Sequence, residues 1–265
     1  MTMVFNVGEE FDRISETYDT TRQAATVAEL SALSSELEDC HMILDVGVGT
    51  GRFAKPLSDL GFEIVGVDLS RKMISRAKQK GIHSLILADA CHMPFRDKTF
   101  DASIIIHVFQ LLPDWPSVMR EMGRITSKKV AALLSNRLGE WSDTANVSGN
   151  SASPAYPEIW VRYAQLREKM GYPIQRNRRM WQNEAEIRSK LPPAELIEVS
   201  NEVVVTKVSD IMERFLQRPP CWHSDIPTEV HQKIIQQLLS SIDKNKQITR
   251  RLIEELAIWQ PDQLR

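Results

Sequence analysis

Short apolar runs alternate with helical stretches through the first half of the chain. Ile43 to Val46, Ile64 to Val67, Leu85 to Ala88, Ala102 to Ile106 and Val130 to Leu134 are strand-length and almost uninterrupted by polar residues. Such runs suit strands covered on both faces. Between them, Phe53 to Leu60, Arg71 to Lys80 and Trp115 to Ile125 carry helical spacing, and Ser70 stands where it can cap the second. One helix or a pair of helices occupies about residues 9 to 37. Strand and helix in strict alternation predict an α/β fold, a parallel sheet doubly wound with helices on both faces.

After Leu134 the rhythm changes. Gly139 to Pro157 is rich in Ser, Asn, Gly and Ala and reads as a long loop, and long loops in compact domains are usually functional or disordered. Helical patches follow at Glu158 to Met170 and Asn183 to Lys190, then a strand at Glu195 to Val208 and an amphipathic helix at Thr228 to Ser240. Leu252 to Trp259 has helical propensity. The expected division is 1–137 for lid helices and the ligand-binding half of the sheet, and 138–265 for cap insertions and closing strands. The inserts at 138–190 and 209–245 are the expected substrate-recognition parts. Trp141, Tyr156, Trp160, Tyr163, Tyr172, Trp181 and Trp222 either line a pocket there or are simply core.

The chemistry concentrates at Ile43-Leu44-Asp45-Val46-Gly47-Val48-Gly49-Thr50-Gly51-Arg52-Phe53. Three alternating glycines directly after a strand let the main chain pass against a small molecule, which any side chain would hold off. One repeat later, Ile64-Val65-Gly66-Val67-Asp68 ends a second strand in an acid, able to accept hydrogen bonds from ribose hydroxyls. A dinucleotide fingerprint needs a third glycine where Arg52 or Ala54 stands, so its strict form fails. Asp45 just before the turn would repel a pyrophosphate and suits a cationic ligand.

At this point the chain resembles the class I S-adenosylmethionine-dependent methyltransferases, whose first motif has the form D-x-G-x-G-x-G. Leu85 to Ala90 gives a third strand ending in Asp89, and Pro94-Phe95-Arg96-Asp97-Lys98-Thr99-Phe100-Asp101 resembles the family's entry to its fourth strand. Phe11-Asp12-Arg13 and Tyr18-Asp19-Thr20-Thr21-Arg22 look like the helical lid of the small-molecule, type 11 or ubiquinone-biosynthesis-like branch. The resemblance covers about residues 10 to 136. It implies a Rossmann-like, mostly parallel seven-stranded sheet with lid and cap insertions, closed by Leu252 to Trp259 as an antiparallel last strand in place of a helix, and S-adenosyl-L-methionine as cofactor. It implies that Gly47, Gly49 and Gly51 hold the cofactor, Asp68 the ribose, and Asp89 the adenine amino group, with Leu69 and the backbone of Ala90 beside the ring. Arg22 would lie near the cofactor carboxylate and Tyr18 over the site. Asp45 would contact the methionine amino group, directly or through water, or would only order the glycine loop.

Bland readings stand beside these. Asp68 could merely cap a helix, Asp89 end a turn, and Tyr18 and Arg22 face solvent on an ordinary helix. His107, at the end of the fourth strand, is the one histidine placed to take a proton from a substrate, and equally a packing residue or a contact to the cofactor's methionine end. Cys40-His41, Cys91-His92 and Cys221-x-His223 suggest metal ligands, but the first two pairs fall at opposite ends of a parallel sheet, so no metal site is expected. The "N-P-P-Y" tetrapeptide of many amine methyltransferases is absent, and His107-Val108-Phe109-Gln110 stands in its place, which favours transfer to oxygen or carbon of a small molecule.

Composition trims the alternatives. Hydrophobic residues at 42%, charged residues at 26% and a net charge of −2 are ordinary for a globular protein and argue against a broad nucleic-acid-binding surface. A tRNA- or protein-modifying enzyme stays open through a basic face at Arg176, Arg178 and Arg179. So do a non-catalytic cofactor-binding module and a dinucleotide oxidoreductase. Three cysteines and a start without basic and apolar signal-peptide segments lead to a cytoplasmic expectation, with no membrane partner. The methyl acceptor and oligomeric state are not legible.

Overall fold

The computed structural model describes residues 7–138, 158–173, 183–217 and 226–265, apart from 242, 244 and 246. Three helices open the chain, α1 (Val7–Ile14), α2 (Tyr18–Thr21) and α3 (Val27–Glu36). The alternating part follows: β1 (Met42–Val46), α4 (Ala54–Asp59), β2 (Glu63–Asp68), α5 (Arg71–Gln79), β3 (Leu85–Leu87), β4 (Phe100–Ile106), α6 (Trp115–Ile125) and β5 (Thr126–Leu138). The remainder comprises α7 (Glu158–Lys169), α8 (Asn183–Lys190), β6 (Glu195–Lys207), α9 (Val208–Gln217), α10 (Thr228–Ser241) and β7 (Gln247–Trp259). The seven strands lie in the order β3-β2-β1-β4-β5-β7-β6.

Pairings β3 to β2, β2 to β1, β1 to β4 and β4 to β5 are all parallel. The chain runs outward from β1 through β2 to β3, then returns to place β4 on the other side of β1. That reversal creates a crevice at the C-terminal ends of β1 and β4, where ligands of doubly wound sheets bind. Strands covered on both faces explain the uninterrupted apolar runs. In β5, Val130, Ala132 and Leu134 enter one core layer while Ala131 and Leu133 enter the other. The same alternation makes Leu252 to Trp259 a strand despite its helical propensity, because Ala257 and Trp259 face the first layer and Leu256 and Ile258 the second.

Two compact units emerge. The first comprises Met1–Ser135, Arg179–Val199 and Glu254–Arg265, and contains both sheet-covering layers. The second comprises Asn136–Arg178 and Ser200–Ile253, with its own core of Tyr163, Val208, Met212, Ile234, Ile235 and Leu238. In that core the Tyr163 hydroxyl and His231 Nδ1 are hydrogen-bonded at 2.7 Å. Tyr163 is fully buried there and Tyr172 packs against the same cluster, so both are core residues of this unit. Trp141, Tyr156, Trp181 and Trp222 lie outside the described residues, as do Arg176, Arg178, Arg179 and the loop 139–157.

Candidate functional site

The β1 strand delivers the chain into the glycine turn. Gly47, Gly49 and Gly51 have φ of 76°, 55° and 80°, all in the left-handed region. Their reasons differ. A Cβ on Gly47 would stand 2.5 Å from Val108 and one on Gly51 2.3 Å from Ile82, so those two glycines admit neighbouring side chains. A Cβ on Gly49 would meet nothing nearer than the Gly47 carbonyl oxygen at 4.0 Å. Gly49 is therefore the point where the bend presents bare backbone to open space. Gly66 in β2 serves the turn from beneath, since a Cβ there would fall within 2.8 Å of Leu85 and Val48.

Asp68 ends β2 and reaches back to this bend. One carboxylate oxygen accepts the Gly49 N–H at 2.8 Å, and the other accepts the Ser70 N–H at 2.8 Å. Burial pushes its carboxyl above the usual range, with the Ser70, Gly49 and Leu69 amides working against that shift. Each oxygen still has a lone pair for a further donor. Ser70 caps α5 through Met73 N–H, as its position predicts.

Asp45 is 4% exposed, and among the described residues its carboxylate accepts no hydrogen bond. Burial, helped by the charge of nearby Asp68, pushes its pKa up to about 7, while Arg52 pulls the other way. A buried carboxyl this poorly compensated is costly to ionise unless a cation arrives.

Asp89 lies two residues past Leu87, which is in register with Asp68, and so belongs to the same C-terminal edge. It is exposed and accepts the Cys91 N–H at 2.9 Å. Leu69 and Leu87 beside these acids are 49% and 44% exposed, a pair of apolar side chains at a polar rim, and Ala90 is half-buried. Cys40 and His41 precede β1 whereas Cys91 and His92 follow β3, opposite ends of parallel strands; Cys221 and His223 lie outside the described residues.

The opening helices are pinned to the two turns through acids that sequence reasoning left unassigned. Asp12 of α1 accepts the Ser70 hydroxyl at 2.5 Å and the Lys72 N–H at 2.9 Å. Asp19 of α2 accepts the Thr50 hydroxyl at 2.5 Å and pairs with Lys80 at 2.8 Å. The Tyr18 ring packs 6.0 Å from Phe11, and the exposed Arg22 guanidinium lies 5.5 Å from the Tyr18 centroid. Tyr18 opens the helix that Asp19 ties to the glycine turn, and Arg22 follows directly at its C-terminal cap.

His107 follows β4 with φ of 57°, unusual for a residue with a side chain. Its neighbour Val108 is the side chain that Gly47 makes room for, which places His107 beside the turn. His107 Nε2 lies 3.9 Å from Glu29 and 3.8 Å from Glu254. Glu29 heads the stripe that continues through Leu33 and Leu37 on α3, and Glu254 shares its face of β7 with Leu256 and Ile258. Burial pushes Glu254 up to about 7, reinforced by the charge of Glu29. Burial acts on Glu29 in the same sense, but His107 and the Thr26 N–H outweigh it and hold that carboxyl low. A cavity of about 220 Å³ bounded by Trp115, Met119, Leu191 and Leu264 includes none of these residues.

Residues 44–134, the span of the sheet that carries the glycine turn and both acids, match the family model described as a methyltransferase domain. This segment is therefore similar to methyltransferase domains. An uncharacterized protein of Methanocaldococcus jannaschii is 33% identical over 122 residues, 44% of this chain and 56% of that one. A demethylmenaquinone methyltransferase of Corynebacterium urealyticum is 29% identical over 126 residues, 45% of this chain and 54% of that one. The chain thus spans about half the length of these curated relatives. The solved structure of the cyclase SpnF shares the fold, with a TM-score of 0.50 at 14% identity and 95% of each chain covered.

Proposed function

We propose that the chain is an S-adenosylmethionine-dependent methyltransferase that acts on an oxygen or carbon of a small molecule. The observation that carries the reading is Asp45, a buried carboxylate without a hydrogen-bond partner among the described residues, on the strand that leads into the bare backbone at Gly49. A site that approaches its ligand through main chain and waits for positive charge suits a sulfonium nucleoside with an α-amino group, and not a pyrophosphate. Asp45 would balance the amino group, Gly47, Gly49 and Gly51 would line the methionine portion, and Asp68 would use its remaining lone pairs on the ribose. Asp89 would take the adenine amino group, with Leu69 and Ala90 along the ring. Tyr18 and Arg22 on the pinned lid would close over the site.

The cofactor supplies an already activated methyl group. The protein's part is to align the acceptor in line with it, within about 3 to 3.5 Å, and to exclude water. His107, beside the turn, is the group placed to take a proton from a hydroxyl or an acidic carbon. No helix among the described residues is long and apolar enough to cross a membrane. Cytoplasmic placement and a small-molecule partner belong to this reading.

Calorimetry with S-adenosylhomocysteine and, separately, NAD tests the cofactor assignment. Saturable binding of the first alone is expected, and it should fall at least tenfold in Gly49→Val and in Asp68→Ala. Unchanged affinity in both variants removes the assignment. Because the cyclase SpnF shares this fold, the reaction itself needs its own test. A metabolite screen read by S-adenosylhomocysteine release should yield turnover, and binding without turnover on any acceptor would favour a non-transfer role.

A further inference from the structure

Glu29, His107 and Glu254 come from three elements far apart in the sequence, yet one donor atom from each lies within 4.8 Å of the other two. Glu29 is 6% exposed; its Oε1 faces the His107 imidazole, and its other oxygen takes the Thr26 N–H. Glu254 is 19% exposed and His107 30%. Separations of 3.9 and 3.8 Å from the imidazole exceed hydrogen-bond length. Among the described residues, no lysine or arginine comes within ion-pair distance of either carboxylate. Arg52 is the nearest basic influence, but its guanidinium donates to the Gln23 carbonyl at 2.9 Å and lies over Phe53 at 4.7 Å. Among the described residues the His107 imidazole is the one basic group within ion-pair distance, so two carboxylates withdrawn from water share a single partner.

We propose that Glu29, His107 and Glu254 form a binding site for one divalent cation at the C-terminal end of β4. A triangle with sides of 3.9, 3.8 and at most 4.8 Å has a point no more than about 2.5 Å from all three corners. That radius falls in the range of cation-to-ligand bonds, about 2.0 to 2.6 Å. Two carboxylate charges balance a dication, and an imidazole with two carboxylates suits manganese, ferrous iron or zinc over magnesium or calcium. Three protein ligands on one side leave further coordination positions open, as a site that receives an exogenous oxygen requires. The departure from the sequence expectation of no metal lies in the donors: the cysteine–histidine pairs take no part. Resting on the methyl-transfer reading, the open positions would hold the acceptor oxygen beside the glycine turn and lower the pKa of its proton, and His107 would then serve as a ligand in place of acting as the base.

The test uses the full chain, stripped with a chelator and dialysed, with binding of Mn²⁺ followed by electron paramagnetic resonance and Zn²⁺ by calorimetry. One saturable equivalent is expected, weakened at least tenfold in Glu254→Gln and in His107→Asn. Asparagine tolerates the left-handed backbone at 107, and Gln preserves the Glu254 shape. Circular dichroism of both variants, and S-adenosylhomocysteine affinity of Glu254→Gln, report whether the site, and not the fold, has been lost. Absence of a saturable equivalent in the wild type overturns the proposal, as does an equivalent that survives in the Glu254→Gln, His107→Asn double variant. Cofactor binding is measured without metal, so its failure would count against the methyltransferase reading alone.

Discussion

Asp45 allows the electrostatics of the glycine turn to be tested in two independent ways. Its carboxyl rises from an ordinary value of about 4 to about 7 on folding. Below about pH 4 both folded and unfolded chains hold the proton, and the group is neutral to stability. Between about pH 4 and 7 only the folded chain holds it, so stability falls as pH rises, and above about 7 the loss levels off. The full loss is about 4 kcal/mol, and the portion between pH 5 and 8.5 is about 3 kcal/mol. Asp45→Asn keeps the shape and cannot ionise.

Urea unfolding of both proteins followed by tryptophan fluorescence should show the variant gaining about 3 kcal/mol on the wild type from pH 5 to 8.5. The same ionisation governs ligand affinity. If a cationic amino group requires the Asp45 carboxylate, S-adenosylhomocysteine affinity of the wild type should rise about tenfold from pH 6 to 8, while that of Asp45→Asn stays level. A stability difference that does not change with pH would refute the burial argument. A pH-dependent stability difference with level affinity in the wild type would keep the burial and refute the charge pairing.

Other substitutions separate packing from binding. Gly49→Val should cost only about 1 to 2 kcal/mol for its left-handed backbone while abolishing cofactor binding, since its side chain enters open space; a large stability loss in denaturant titration would contradict that geometry. Gly66→Ala should cost about 1 to 3 kcal/mol through overlap with Leu85 and Val48, and a midpoint unchanged from wild type would show the strand has room to spare. Asp19→Ala removes half-exposed contacts to Thr50 and Lys80, so global stability should drop by less than about 1 kcal/mol. Its effect should appear as faster proteolysis within residues 7–22, and cleavage at the wild-type rate would mean that the lid does not depend on this anchor.

What could be read in the sequence was local. The glycine turn, Asp45, Asp68 and the Ser70 cap each lie within one strand–turn–helix unit, where a period of two gives way to a period near four and the ligand-facing acid follows a strand directly. The closing strand at Leu252 to Trp259, helical by propensity, was readable only through the family resemblance, and the two core layers that alternate along it supply the physical reason. Glu29, His107 and Glu254 were not readable together, since no short-range pattern links α3, the end of β4 and β7. Two weak signals existed. Glu29 occupies the head of the Leu33–Leu37 stripe, where an apolar residue would be expected, but the capping box it forms with Thr26 already gives it a structural reason. Glu254 falls in phase with the inward-facing Leu256 and Ile258, so a strand assignment alone turns a charged residue toward the core. A carboxylate in phase with a buried face needs a partner, and the partner was found only when the fold brought a second carboxylate and an imidazole beside it.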